Sequence, residues 1–476
     1  MALVAVSVPF FAVTALLGPS GAEPDLLGAG WTRHLTAHPA DWVVTALLWT
    51  AMVSATGGVA LGWWALRRGW APELRLVRRW SFLGAAVMAL LPPLGSSDVL
   101  SYGAYGRMVV LGLNPYTTTV TDLVVAGDPV GVGYQGAWSD VSSVYGPAAL
   151  GIQGAVSWLS GTSMQTFAAL MQLLALVAFV ATALLLDRAA GDHVARARVA
   201  VLWTANPVLW YLVVNSAHID GLAVALGVAG LLVVNRSPAM AGVLAGLAVG
   251  VKISYVLYAV ALVWAVRHAR RSLLRLALAG AATGAVLFVP FLPEIFGPLR
   301  TASEYVAQQS LWAIVHAPLE RVWSPHTVAR GLGVAVWVLT AFLVWRLAKI
   351  LPQRSAHPTP RDEAVRAAAM LSVGWLLSAT YALPWYDVIA WAPLVLIPAS
   401  GVDLVVLVRM ASVAIGYLPG LVIRPPGAVG AVTAALRGQV APTIGLALVV
   451  CVLFFGDRLR LRPPAERRPQ ASSLSQ

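Results

Sequence analysis

The stretch from Ala168 to Leu186, AALMQLLALVAFVATALLL, carries no charge from end to end. A straight helix needs about 20 apolar residues to cross the hydrocarbon core of a bilayer, and this run is of that order. It has companions: Ile444 to Phe455 is also free of charge, 59% of the chain is apolar, and only 11% is charged, against roughly 25% charged residues in an ordinary soluble domain. Those proportions exclude a soluble globular protein and define a polytopic membrane protein.

Working outward from this run, apolar segments separated by turn or charge signals fall near 1–18, 42–66, 80–94, 148–160, 164–186, 200–216, 221–235, 239–251, 253–266, 276–292, 331–348, 367–383, 388–400, 404–421 and 440–456. They predict an all-α membrane bundle of about 13–15 transmembrane or re-entrant helices in one domain over 1–456. The runs between 200 and 266 are short and read as hairpins buried among their neighbours. The first run is read as a retained span, because no basic segment precedes it. The run at 148–160 is expected to be re-entrant or in-plane.

The formal charge of +12 would suggest nucleic acid in a soluble protein. Here the cations sit in short loops, and the segments 67–79, 187–199, 236–238, 267–275, 346–366 and 457–476 hold 23 of the 32 Lys and Arg. By the positive-inside rule these segments are cytoplasmic, with 457–476 a basic tail, which makes the charge a topology signal with no nucleic-acid partner. The lone cysteine, Cys451, builds neither a disulfide nor a thiolate metal site within the chain.

Two long loops, 95–147 and 293–330, then fall on the extracytoplasmic side. The first is acidic and rich in tyrosine, with Asp98, Asp122, Asp128 and Asp140 against the single cation Arg107. Its beginning has helical spacing through Val99, Tyr102, Tyr105 and Val109, with Ser96, Ser97 or Asp98 as cap. Asp98 therefore has two readings of equal weight: an N-cap carboxylate, or a general base facing a hydroxyl. Lys252 interrupts an apolar stretch where charge is costly and usually functional. It is expected level with His218 and Asp220, making a patch able to hold a phosphate; the competing reading is a snorkelling lysine paired with Asp220. Tyr145, Trp385 and Tyr386 suit an aromatic belt, the commoner case for such residues, and their faces also suit stacking on sugar rings. Glu294, Glu304, His316, Glu320 and His326 in the second loop lack metal-ligand spacing, so no metal and no cofactor is expected.

The ordered strings Ser97-Asp-Val-Leu-Ser-Tyr102, Gly112-Leu-Asn-Pro-Tyr116, Tyr145-Gly-Pro147, Asn206-Pro207, Ser216-Ala-His-Ile-Asp-Gly221 and Gly246-Leu-Ala-Val-Gly-Val-Lys252 resemble the actinobacterial polyprenyl-phosphate-mannose-dependent alpha-1,6-mannosyltransferases, which are C-class (GT-C) glycosyltransferases. The resemblance covers about residues 80 to 260 and, more weakly, Pro384-Trp-Tyr386. It implies an inverting transferase of the plasma membrane with its active site outside, Asp98 as base, a sugar on a lipid phosphate as donor and a mannan or lipoglycan as acceptor. The residues fit that chemistry: Lys252, with His218 and Arg107, is expected to hold the donor phosphate, and Tyr102, Asn114, Tyr116, Tyr145 and Asp220 are candidates for sugar contacts. Where some relatives carry two adjacent acids, this chain has Ser97-Asp98, which leaves one base. The residues by themselves leave arabinose or glucose open as the sugar, and a transporter or flippase of lipid-linked saccharide open as the activity.

Overall fold

The computed structural model describes residues 2–24, 26, 35, 37–420 and 427–461. All regular structure among them is helical. The part of the basic tail from 462 to 476 lies outside the described residues.

Among the described residues six helices are long and apolar enough to cross a membrane: Asp41–Arg67, Met164–Ala189, His193–Asn215, Arg270–Phe291, Pro325–Ile350 and Gly427–Phe454. Shorter apolar helices at Ala2–Leu16, Asp220–Val233, Pro238–Val251 and Ile253–Val266 pack among them. The chain is an all-helical polytopic membrane bundle. Its second long loop is itself partly helical, at Phe296–Glu304 and Ala313–Glu320, and the next span begins inside the expected loop, at Pro325. Ser324 caps that helix on Thr327, with Pro325 at its first position, where a missing N–H costs nothing.

From Ala197 onward the His193–Asn215 segment is buried at every position. Near its start Arg198 makes a two-pronged ion pair with Asp403, at 2.8 and 2.5 Å. Trp63 donates its indole N–H to the same carboxylate at 2.8 Å. A buried charge is tolerated only with such partners, and this clasp ties three distant parts of the chain together. At the far end of the segment Asn215 governs the connector that leads to Asp98. Its amide donates to the carbonyls of Met88 and Pro92 and accepts from the N–H of Leu94, all near 3.0 Å. Gln172 donates to the carbonyls of Leu91 and Asn215, and Ser216 donates to that of Leu94. These bonds satisfy a non-helical stretch that would otherwise leave backbone groups orphaned inside the bundle.

Small residues bring the next elements close. Gly242, Gly246 and Gly250 recur every fourth position on Pro238–Val251 and press on Leu276, Thr283 and Leu287 of the Arg270–Phe288 helix. This is the close approach that small residues at that spacing allow in membranes. Asp220–Val233 and Pro238–Val251 form a hairpin, so the residue that opens the first helix, Asp220, and the residue that ends the second, Lys252, come together at the same end of the bundle as Asp98.

Candidate active site

Asp98 opens the Asp98–Val110 helix, yet its carboxylate caps nothing; Ser97 holds the cap position without a side-chain bond. The backbone N–H of Asp98 is taken instead by Ser96 Oγ at 3.1 Å. The carboxylate is therefore free to face inward, beside the side chains of Ser96 and Tyr145. Burial pushes Asp98 up to about 6, against the pull of the neighbouring Lys252 ammonium and with a further push from Asp220. An isolated carboxyl would sit near 4. The raised value places the proton affinity of Asp98 close to neutrality, where a base works best.

Lys252 is buried, and its ammonium donates to Asp220 Oδ1 at 2.7 Å. The same nitrogen lies 3.4 Å from the centre of the Tyr386 ring, a cation–π contact strengthened by desolvation. The pairing of the competing reading is present, without its snorkelling: the lysine is buried. His218 lies alongside, with its side chain fully enclosed. Its Nδ1 is 2.5 Å from the Leu212 carbonyl, its Nε2 faces Asp98 Oδ2 at 3.6 Å, and its ring stacks on Trp385 at 3.8 Å.

The other residues anticipated from the sequence divide into two groups. Tyr102, Tyr145, Asp220, Trp385 and Tyr386 gather around Asp98 and Lys252. Tyr102 and Tyr145 meet edge to face at 5.0 Å, and both sense the Asp98 charge. Asn114, Tyr116 and Arg107 stand further out and hold the loop. Asn114 Oδ1 accepts from the N–H of Tyr116, and the Tyr116 hydroxyl donates to the carbonyl of Tyr145 at 2.9 Å. Arg107 is engaged by Asp128 at 2.8 Å, and Asp128 also caps the Pro129–Val132 turn. The loop 95–147 is thus pinned by tyrosine hydroxyls and one ion pair. Tyr105 adds a bond to the carbonyl of Val141, and Tyr134 one to Ser101. Tyr145-Gly146-Pro147 closes it: Gly146 N–H donates to the Val251 carbonyl, and a Cβ there would collide with the Gly250 carbonyl at 2.1 Å. That contact brings Tyr145 beside Lys252.

Other participants come from the second half of the chain. Tyr381 and Tyr417 also sense the Asp98 charge, and with Tyr102, Tyr105, Tyr134, Tyr145 and Tyr386 they make seven of the 12 tyrosines in the chain that do so. Asp387, fully buried, pairs with Arg409, which also donates to the carbonyls of Leu376 and Ala382. This pair fixes the Pro384–Asp387 turn and so aims Trp385 and Tyr386 at the site. The one signal for it in the sequence was an arginine inside an apolar run.

Gly95 sets the height of Asp98. It has φ +79, and a Cβ would lie 2.0 Å from the Tyr211 hydroxyl. Gly95→Ala is expected to lower activity by about 100-fold, the loss typical of a 1 Å misplacement of a reacting group. Initial rates beside a thermal unfolding scan check this, and unchanged rates in a folded variant would show that the connector does not position Asp98.

The enclosed carboxylate, the buried ammonium and the aromatic walls together form a recess suited to a polyol and an anion. The chain is 27% identical to Alpha-(1->6)-mannopyranosyltransferase A of Corynebacterium glutamicum over 201 residues, which is 42% of this chain and 40% of that relative. The aligned part thus spans well under two thirds of the relative's length. The family described as Alpha-(1->6)-mannopyranosyltransferase, N-terminal domain, matches residues 5–268, a stretch that contains Asp98, His218, Asp220 and Lys252. With more than half of its length so matched, the chain belongs to the alpha-(1->6)-mannopyranosyltransferase family.

Proposed function

We propose that this protein is a membrane mannosyltransferase that moves mannose from polyprenyl-phosphate-mannose to a mannan or lipoglycan acceptor, with inversion, forming alpha-1,6 linkages on the extracytoplasmic side of the plasma membrane. The observation that carries this reading is the position of Asp98: a buried, uncapped carboxylate with raised proton affinity, within electrostatic reach of a buried ammonium.

The chemistry follows from the groups present. Asp98 takes the proton of an acceptor hydroxyl as that oxygen attacks the anomeric carbon. The bond from that carbon to the phosphate oxygen breaks, and the lipid phosphate leaves as an ionised group that needs no general acid. Lys252 stabilises the charge gathering on the departing phosphate, in a site where low dielectric makes such a contact strong. Asp220 holds the ammonium in place and Tyr386 covers its other side. Tyr102, Tyr145 and Trp385 supply faces and edges for the sugar. Direct displacement turns a beta-linked donor into an alpha product.

The short hairpin supports a lipid-borne donor. Its helices have 14 residues each, about 21 Å of rise, while the hydrocarbon core measures about 30 Å. With Arg236 at the hairpin tip on the basic face, Lys252 ends below the opposite membrane surface, within reach of a phosphate carried on a prenyl chain. A relay of charges at the midplane, as a transporter would use, is not what supports this reading; a carboxylate in an outer loop is.

The test is a reconstitution. Purified protein in nanodiscs is expected to transfer label from polyprenyl-phosphate-mannose to a short alpha-1,6-mannoside, giving an alpha-linked product with free polyprenyl phosphate. Transfer from the arabinose or glucose donor alone would replace the sugar, and lipid movement across vesicles without transfer would replace the activity.

A further inference from the structure

We propose that His218 is the positioning residue of the base: it holds a bare ring nitrogen against Asp98, so that the proton arriving from the acceptor hydroxyl is shared between Oδ2 and Nε2. The inference rests on the reading above, in which Asp98 accepts that proton.

The geometry leaves little freedom. A carbonyl oxygen can only accept, so the 2.5 Å contact between Nδ1 and the Leu212 carbonyl places the ring hydrogen on Nδ1 and leaves Nε2 with a lone pair. The ring cannot turn away, because it is enclosed and stacked on Trp385 at 3.8 Å with planes 16° apart. Nε2 makes no hydrogen bond within the protein, and the nearest acidic oxygen is Asp98 Oδ2 at 3.6 Å. Two lone pairs thus face each other across a gap slightly too wide for a hydrogen bond. A proton on Oδ2 converts that contact into an O–H···N bond, which strengthens with the low dielectric around it. The balance is simple: the acceptor loses its hydroxyl proton to Oδ2, Nε2 takes a share of it, and the leaving phosphate departs with the bonding electrons.

The arrangement also decides what His218 does not do. With Nδ1 committed to the backbone and Nε2 bare, the neutral ring has no donor for a phosphate. Burial keeps it neutral, pushing it down to about 3, so within the shared O–H···N bond the proton lies nearer the carboxyl oxygen. The charged neighbours facing the pair are Lys252 from the end of the Pro238–Val251 helix and Asp220 from the start of the Asp220–Val233 helix. The phenols around it are Tyr102 and Tyr105 from the Asp98–Val110 helix, Tyr134 and Tyr145 from the loop, and Tyr381, Tyr386 and Tyr417 from the second half. Phenols ordinarily titrate near 10, so none of them changes charge near pH 6.

His218→Gln puts an amide N–H where the bare nitrogen stands. A donor favours the charged carboxylate and lowers its proton affinity. The expected result is an acid limb of the rate profile shifted about one pH unit lower and a kcat reduced about tenfold, with donor KM unchanged. The protonated-carboxyl infrared band, identified by its loss in Asp98→Asn, should shift by the same amount. A band and limb that stay put overturn the proposal, and so does a raised donor KM without any shift, which would make His218 a donor ligand. A shifted band in a protein that transfers no mannose would keep the pair and remove the functional reading on which its role depends. Should His218→Gln fail to fold, His218→Asn is the second variant. If that also fails, labelled histidine nitrogens are compared in wild type and Asp98→Asn. One Nε2 resonance should follow the carboxyl band in the former only, and identical titrations in both would refute the pairing.

Discussion

Asp98→Asn is expected to lose about 100- to 10,000-fold in transfer rate, the range for removal of a general base, while remaining folded. The side chain changes by one atom and caps no helix, so nothing structural is withdrawn. Ser96 and Tyr145, the polar neighbours of the carboxylate, can accommodate an amide as well. The pH dependence sharpens the test. A base must be ionised, so wild-type activity should be full above the Asp98 transition and fall as the pH drops through about 6. The residual rate of Asp98→Asn should show no such limb. Initial rates of label transfer in nanodiscs across that range check both points. A variant that works within a small factor of wild type would move the base elsewhere in the recess.

Lys252 offers the second large effect, and here stability and catalysis have to be separated. Lys252→Met removes the partner of the buried Asp220, and breaking such a pair costs about 3–5 kcal/mol. Loss of activity in the single variant would therefore be ambiguous. The double variant Lys252→Met with Asp220→Asn replaces both charges by neutral groups, which is often neutral for stability. Its unfolding temperature should return towards wild type, while kcat stays depressed by about 100-fold or more, as when one donor to a developing anion is lost. Recovery of activity along with stability would mean that the ammonium serves only to neutralise Asp220.

These two residues were legible in the sequence for the same reason: each violates its surroundings. A lysine in an apolar stretch and an aspartate beside a predicted helix start in an acidic loop stand out without any contact being known. Helical spacing gave the Asp98–Val110 element nearly to its ends. The hairpin pattern, with Asp220 opening one short helix and Lys252 ending the next, was enough to set them level, and they meet at 2.7 Å.

Direction and partner choice were a different matter. Arg107 could be read as a free cation near a phosphate, and packing gives it to Asp128. Asn114 and Tyr116, legible as sugar contacts, turn out to fasten the loop. His218 could be read as a donor to phosphate until the Leu212 carbonyl fixed its tautomer. The Asp387–Arg409 pair and the tyrosines at 381 and 417 enter the recess from the second half of the chain.

The sequence by itself determined that this chain lies in a membrane as a helical bundle, which end of it is acidic and aromatic, and that Asp98 and Lys252 belong to that end. Those properties follow from local composition and spacing, because the cost of charge in hydrocarbon and the period of a helix act over a few turns of chain. Only the tertiary structure decided which way each polar group faces and which hydrogen each can give. A buried donor or acceptor takes whatever partner the packed bundle brings within 3 Å, and that partner can be hundreds of residues away in sequence, as Arg198 and Asp403 are.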